Sequence, residues 1–187
     1  MSEVPKEVIP DFESWGIRAF TTTRDAGTFS LSGTDPVNEV MGRWTAVQHE
    51  LSDTARRLAS IRQVHGTRVL VHTGGWEGWL RGDEADGHIA AEKGIALAVG
   101  IADCVPVFIA HPSGIVALLH SGWRGTAARI TTEAIAALAR YGLPPDELAN
   151  VPQVPGSLNE VLDAYEPAAN RIANTVAVSF VEERERV

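Results

Sequence analysis

Cysteine is nearly absent from this chain: Cys104 is the one cysteine in 187 residues. It cannot close an internal disulfide, so an apolar core must hold the fold, and the thiol stays free for metal binding or chemistry in a reducing compartment. Long hydrophobic runs are missing as well, and nothing approaches the roughly 20 consecutive apolar residues of a membrane span. The first residues, Met1-Ser2-Glu3-Val4-Pro5-Lys6, lack the apolar centre of a signal peptide, so the expected compartment is the cytoplasm. Positive charge is in deficit, with 16 Lys and Arg against 24 Asp and Glu and a net charge of −8. Nucleic acid needs a basic face and is therefore not the expected main partner, whereas a small anionic substrate held by a few local arginines stays open. Solenoid-length repeats and low-complexity tracts are also missing. What remains is ordinary for a globular chain, 44% hydrophobic and 21% charged. Its length suits a single domain over residues 1–187 with one well-buried core.

The stretch from Ile101 to Thr126 concentrates the chemistry. Two apolar runs, Val105 to Ala110 and Ile115 to Leu119, are separated by His111-Pro112-Ser113-Gly114, whose Pro and Gly mark a tight turn. That pattern predicts paired, mostly buried strands. In an antiparallel hairpin the start of one strand lies beside the end of the next. Cys104, just before the first strand, and His120, at the end of the second, are thus expected at one rim of a sheet. Thiolate and imidazole are ligands that zinc prefers. The best third candidate is His65 in Gln63-Val64-His65-Gly66, another strand end followed by glycine.

Each of these residues has a duller reading. Taken alone, Cys104 fits a small core residue and His65 a structural or exposed histidine; together, each at a strand end, they favour a site. Two histidines and one cysteine leave a fourth tetrahedral position open, the catalytic rather than the structural pattern. His49, His72, His88 and His111 read as surface or turn histidines.

Elsewhere, residues 1–15 read as a loosely attached lead-in, and Ile17 to Thr23 as a strand ending in the turn Arg24-Asp25-Ala26-Gly27. Arg24 is either an anion contact with its planar fork or a surface arginine. Asp35-Pro36 opens a helix over 36–50, with Val37, Val40, Met41, Trp44, Val47 and Leu51 on the inner face and a further helical turn over 53–58. Strands are expected at 60–64, 67–72, 88–91 and 95–99, with Gly74 to Trp79 a packed loop or a lid. Asp83, Glu84 and Asp86 read as a solvated turn, except that Asp86, beside Gly87 at a strand entrance, is kept as a candidate site residue. A helix from Gly125 to Arg140 is expected to bury Ile130, Ala134, Ile135, Leu138 and Ala139, with an anion-friendly N-terminus next to His120 and Arg124. Ser157 opens a short helix through Tyr165, Thr175 to Val181 is a last strand, and Glu182 to Arg186 is a charged tail.

Gln63-Val64-His65-Gly66, Ala102-Asp103-Cys104-Val105-Pro106-Val107 and His120-Ser121-Gly122-Trp123-Arg124-Gly125-Thr126, in that order, resemble the signature motifs of the multicopper polyphenol oxidase, or laccase-domain, family. Phe20-Thr21-Thr22-Thr23-Arg24 and Glu84-Ala85-Asp86-Gly87 resemble two more of its segments, and the similarity is strongest over 17–142. The resemblance implies an α/β layered sandwich with mixed β-sheets flanked by helices. It implies His65, Cys104 and His120 as catalytic zinc ligands, and Arg24, Gln63 and Arg124 as substrate or phosphate contacts; Asp86 and Asp103 stand beside them as candidate substrate-binding residues. It also implies zinc-dependent purine nucleoside phosphorylase activity, with adenosine deamination beside it. Over 143–187 the chain departs from the family: Pro155-Gly156-Ser157-Leu158 and Tyr165-Glu166 only echo a family segment, and an arginine-rich motif is missing. That part is expected to be shortened or diverged.

The leading functional expectation is an enzyme in which phosphate or water attacks the ribose C1′ or a purine ring carbon of a bound nucleoside. A metal-free cysteine hydrolase or amidase, with Cys104 activated by His65 or His120, is the second reading. A ligand-binding or inactive homologue is the third. Copper oxidase chemistry ranks last, because one cysteine and few candidate ligands cannot build several copper centres. The expected partners are a nucleoside and phosphate, and nothing in the sequence fixes an oligomeric state.

Overall fold

The apolar runs become strands, and a computed structural model of the chain assembles them into two sheets, describing residues 3–143, 145–148 and 175–181. In chain order the elements are β1 (Lys6–Ile9), β2 (Ile17–Thr22), α1 (Val37–Leu51), β3 (Arg57–Arg62), β4 (Val69–His72), β5 (Gly78–Glu84), β6 (Gly87–Ala90), β7 (Ile95–Ile101), β8 (Val105–Ala110), β9 (Val116–Ser121), α2 (Trp123–Ala127), α3 (Ile130–Arg140) and β10 (Thr175–Val181). The larger sheet has the order β1-β2-β10-β7-β3-β5 and the smaller one β4-β6-β9-β8. The two lie face to face, with one helix on each outer side, so the expected α/β layered sandwich is what forms.

Strand β7 shows why its sequence is an unbroken apolar run. Ile95, Leu97, Val99 and Ile101 point into the layer between the sheets, against Phe108, Val116 and Leu118. Ala96 and Ala98 point outward beneath Val40, Trp44 and Val47 of α1. A strand buried on both faces has no polar alternation to display. On the other side, Ile130, Ala134 and Leu138 of α3 cover Ile89, Ile109 and Leu119 of the smaller sheet. Each fully buried Leu or Ile contributes about 1.5–3 kcal/mol, so these three layers carry the stability that no disulfide supplies.

The strand directions place the site. β3 runs parallel to both β5 and β7. The carboxyl ends of all three therefore emerge on one side, delivering Gln63 to Gly66, Ala85-Asp86 and Ala102 to Cys104 to the same region. Crevices outside such strand ends are where ligands bind in parallel sheets.

Several expectations need correction. Residues 6–15 are not a loose lead-in: β1 pairs antiparallel with β2, and Phe12 in the following turn of 3-10 helix is 2% exposed. Residues 57 and 58 already lie in β3 rather than in a second helical turn. Gly78 and Trp79 begin β5, a strand that was not expected, because its mixed polar and apolar order gives no clean alternation. The inner stripe of α1 is narrower than expected: Val40, Trp44, Val47 and Leu51 are buried, whereas Val37 and Met41 are exposed. The helix expected over 125–140 is two helices, separated at Arg129 by a left-handed φ of 62°. Ala137 completes the buried face of α3, whereas Ile135 is half-buried and Ala139 exposed. His72 and His88 are buried rather than surface residues. The hairpin of β8 and β9 and the last strand, β10, form as expected. The helix at 157–165 and the charged tail lie outside the described residues.

Candidate functional site

The β8–β9 register pairs Val105 with Ser121 and Pro106 with His120. Cys104, one residue before β8, is thereby set beside the end of β9. The loop after β3 brings His65 to the same place, and the three side chains offer ligand atoms within 4.8 Å of one another. Zinc-type bonds of about 2.0–2.3 Å in a tetrahedron need ligands about 3.3–3.7 Å apart, so small side-chain rotations close the set around an ion.

Asp86 organises this arrangement. Its side chain is fully buried between the ends of β5 and β6. One carboxylate oxygen accepts from the His65 N–H at 2.9 Å and from His120 Nδ1 at 2.8 Å. The other accepts from the Gly66 and Val64 N–H groups at 2.7 and 3.2 Å. Three successive amides thus converge on one carboxylate, forming an anion nest. That convergence holds His65 at a left-handed φ of 61°, which a non-glycine residue adopts only under such constraint. With Nδ1 donating to Asp86, His120 presents Nε2 to the cluster, the tautomer a metal ligand needs.

Glycines let the pieces meet. A Cβ on Gly122 would stand 3.0 Å from Cys104 Sγ and 3.1 Å from His65 Cδ2. One on Gly125 would stand 2.9 Å from the Gly66 carbonyl oxygen, where α2 packs onto the His65 loop. Neither role was read from the sequence, although Gly122 follows a candidate ligand by two positions.

Burial pushes the Cys104 thiol above its ordinary value, and the carboxylates of Asp103 and Asp86 push it further. This is the reverse of the electropositive setting that activates a cysteine nucleophile. Burial also lowers the His120 imidazole, partly offset by Asp86, so the ring is neutral and ready to ligate at pH 7. His65 and His120 meet edge to face, with ring centres 4.9 Å apart.

The cluster forms part of the wall of a cavity of about 510 Å³. Gln63 and Asp103 also line it, but the Gln63 amide is bonded both ways to the backbone of Gly100, at 2.7 and 2.8 Å. That pairing clips the end of β3 to β7. Trp44 and Trp79 line the cavity too, stacked with centres 4.7 Å apart, and Trp79 Nε1 donates to Ser60 Oγ at 2.8 Å. The segment that read as a packed loop or a lid therefore ends in a packed tryptophan. Arg24, exposed in a short turn after β2, and Arg124, exposed on α2 with its guanidinium 5.1 Å from the Trp123 ring centre, lie outside the cavity lining. Asp86 lies behind it, with both oxygens occupied. Among the described residues no helix is long and apolar enough to cross a membrane.

A layered α/β sandwich with a His-Cys-His cluster in the wall of a cavity defines the class: a protein with a candidate metal centre at the carboxyl ends of parallel strands. The chain belongs to the family described as multi-copper polyphenol oxidoreductase laccase, whose model matches residues 18–184. It is 32% identical over 154 residues to a purine nucleoside phosphorylase of Deinococcus radiodurans, a match covering 80% of this chain and 56% of that protein. It is 32% identical over 167 residues to a purine nucleoside phosphorylase of Streptomyces coelicolor, covering 84% and 68%. An adenosine deaminase from an unknown prokaryotic organism matches at 31% over 151 residues, covering 71% and 57%. The chain thus spans little more than half the length of two of these relatives. YlmD of Geobacillus stearothermophilus shares the fold with a TM-score of 0.72, 21% identity and 94% coverage of each chain. The hypothetical protein YfiH of Bacillus licheniformis does so with a TM-score of 0.75, 15% identity and coverage of 96% and 97%.

Proposed function

We propose that this chain is a zinc-dependent purine nucleoside phosphorylase that cleaves adenosine, inosine or guanosine with phosphate and deaminates adenosine as a second reaction. One observation carries the reading: His65, Cys104 and His120 bring two nitrogens and a sulfur within 4.8 Å of one another at the wall of a cavity of about 510 Å³. That volume is in the range of small-ligand pockets, about 300–1,000 Å³. The names of the Deinococcus, Streptomyces and prokaryotic deaminase relatives supply the substrate class.

In phosphorolysis a phosphate oxygen forms a bond to ribose C1′ as the bond from C1′ to the base nitrogen breaks, and the base leaves with a proton. In deamination water adds at the purine C6 and ammonia leaves. Bound zinc supplies a Lewis acid that polarises a ligated oxygen or lowers the pKa of a bound water. The protein's own residues do the rest. His65, Cys104 and His120 would hold the ion, and Asp86 fixes the His120 tautomer and the loop that carries His65. Trp79, stacked on the buried Trp44, gives the cavity apolar surface suited to a base or sugar, and Gln63 and Asp103 are the polar lining groups nearest the ligand set in sequence. The work is positioning and electrostatics, which is what attack of a phosphate oxygen on a developing oxocarbenium centre requires.

The test is elemental analysis of the purified protein beside Cys104→Ala, followed by assays of adenosine and inosine with and without phosphate. About one zinc per chain, lost in the variant, together with phosphate-dependent release of free base, is the expected result. Absence of zinc, or of any nucleoside turnover by zinc-loaded protein, overturns it.

A further inference from the structure

Arg62 and Arg81 line the same cavity and were not singled out by the sequence. They sit on neighbouring parallel strands: the register pairs Leu58 with Trp79, then Ser60 with Arg81, then Arg62 with Glu84. Leu58 and Trp79 are covered by α1. Further along each strand the same face continues as Ser60, still buried and accepting from the Trp79 indole N–H, and then as the exposed Arg62 and Arg81. Between Ser60 and Arg62 on β3 the register shifts, so β5 carries one residue more than its partner. Such a bulge bends its strand and re-aims side chains, commonly beside binding sites.

The charge state of this wall is unusual for a chain of net charge −8. Arg81 has no ion pair or hydrogen bond among the described residues. Arg62 pairs with Glu84, and the two side chains are 58% and 47% exposed, so water screens the pair and a ligand can displace it. Ser30 and Ser32, whose hydroxyls lie 3.3 Å apart, contribute donors to the same lining. Asp103 is the carboxylate in the lining itself.

We propose that Arg62 and Arg81 form an anion subsite of the cavity that takes a phosphate dianion, either free inorganic phosphate or the phosphoryl group of a nucleotide. The inference rests on the reading of the cavity as a nucleoside site, and it assigns the phosphate to arginines inside the lining rather than to Arg24 or Arg124 outside it. Two planar guanidinium forks on adjacent strands offer more N–H donors than three phosphate oxygens need, which is the chemistry that makes arginine the usual phosphate partner.

The experiment is calorimetric titration of zinc-loaded wild-type protein, Arg81→Gln, Arg62→Gln and Glu84→Gln with inorganic phosphate and, separately, inosine 5′-monophosphate, with zinc content measured on each. Either arginine substitution is expected to weaken binding by about ten- to hundredfold, the range for losing a charge-assisted hydrogen bond. Glu84→Gln is expected to tighten it by releasing Arg62, and zinc content is expected to stay constant throughout. Sensitivity with inorganic phosphate assigns the subsite to the free anion, and sensitivity with the monophosphate alone assigns it to a nucleotide. Wild-type protein that binds neither, or variants that bind both as tightly as wild type, overturn the inference. Phosphate-dependent nucleoside cleavage with a phosphate KM indifferent to Arg62 and Arg81 rejects this subsite while leaving the phosphorylase reading intact. Arginine-dependent phosphate binding without nucleoside cleavage does the opposite.

Discussion

Asp86 and His120 are joined by a 2.8 Å hydrogen bond at the buried junction of the two histidine-bearing segments. The same carboxylate receives the three amides of Val64, His65 and Gly66, so one side chain fixes two of the three candidate metal ligands. Asp86 is a residue of position rather than of substrate contact.

Asp86→Asn keeps the shape but turns an NH2 group toward donors. At least one of the four loses its acceptor, at a cost of about 1–3 kcal/mol for each one left buried and unpaired. The His120 tautomer is no longer fixed, and zinc affinity is expected to fall about 10–100-fold, as for loss of a carboxylate behind a histidine ligand. Competition with a chromophoric chelator measures the affinity, and urea melts of the metal-free protein measure the stability. Unchanged zinc affinity would remove Asp86 from the site.

Gly122→Ala tests the crowding around the cluster. The added Cβ would lie 3.0 Å from Cys104 Sγ and 3.1 Å from His65 Cδ2, closer than ordinary contacts, and both atoms belong to the ligand set. The expected outcome is a loss of zinc affinity larger than the loss of stability in the metal-free protein. A variant that binds zinc normally would show that the cluster has more room than its geometry implies.

How much of this was legible in the sequence follows from where each signal resides. The hairpin turn at His111 to Gly114 fixed the β8–β9 pairing, and through it the meeting of Cys104 with His120, because turn residues and apolar runs are local signals. Strand β5 was not legible: Gly78 to Glu84 lies at the edge of the larger sheet and alternates poorly, so Arg81 within it went unnoticed. The burial of Asp86 was equally hidden, since three neighbouring acids look like a solvated turn until the partner amides, some 20 residues away, are in place. The buried pair His72 and His88 depends on the parallel register of β4 and β6, a non-local fact.

The break between α2 and α3 predicts a substitution whose sign is diagnostic. Arg129 holds a φ of 62° and is exposed. In the left-handed region a non-glycine residue costs roughly 1–2 kcal/mol, part of which glycine recovers against its larger unfolded-state entropy. Arg129→Gly is therefore expected to raise stability by about 0.5–1 kcal/mol in thermal or urea melts. In one continuous helix, as the sequence suggested, the same change would lower stability by about 1 kcal/mol.

The pair of His72 and His88 gives the chain an acid-sensitive core. His88 is fully buried, its Nδ1 lies 3.3 Å from His72 Nε2, and its own Nε2 has no hydrogen-bond partner among the described residues. Burial holds both rings below the ordinary histidine value of 6.5, and His72 lowers His88 further. Unfolding releases them to that ordinary value, so below about pH 6.5 the unfolded chain binds protons that the folded chain refuses. Stability is therefore fully present above this pH and declines as the pH falls, by at most about 1.4 kcal/mol per pH unit for each histidine. The metal-free His120 adds a slope of the same sign, so comparison with a variant isolates the pair. His88→Leu, close in volume and without the orphaned nitrogen, is expected to flatten the acid limb between pH 7 and pH 5 in urea melts. An acid limb equally steep in both proteins would show that the pair is protonated in the folded state, and that its burial does not set the pH dependence.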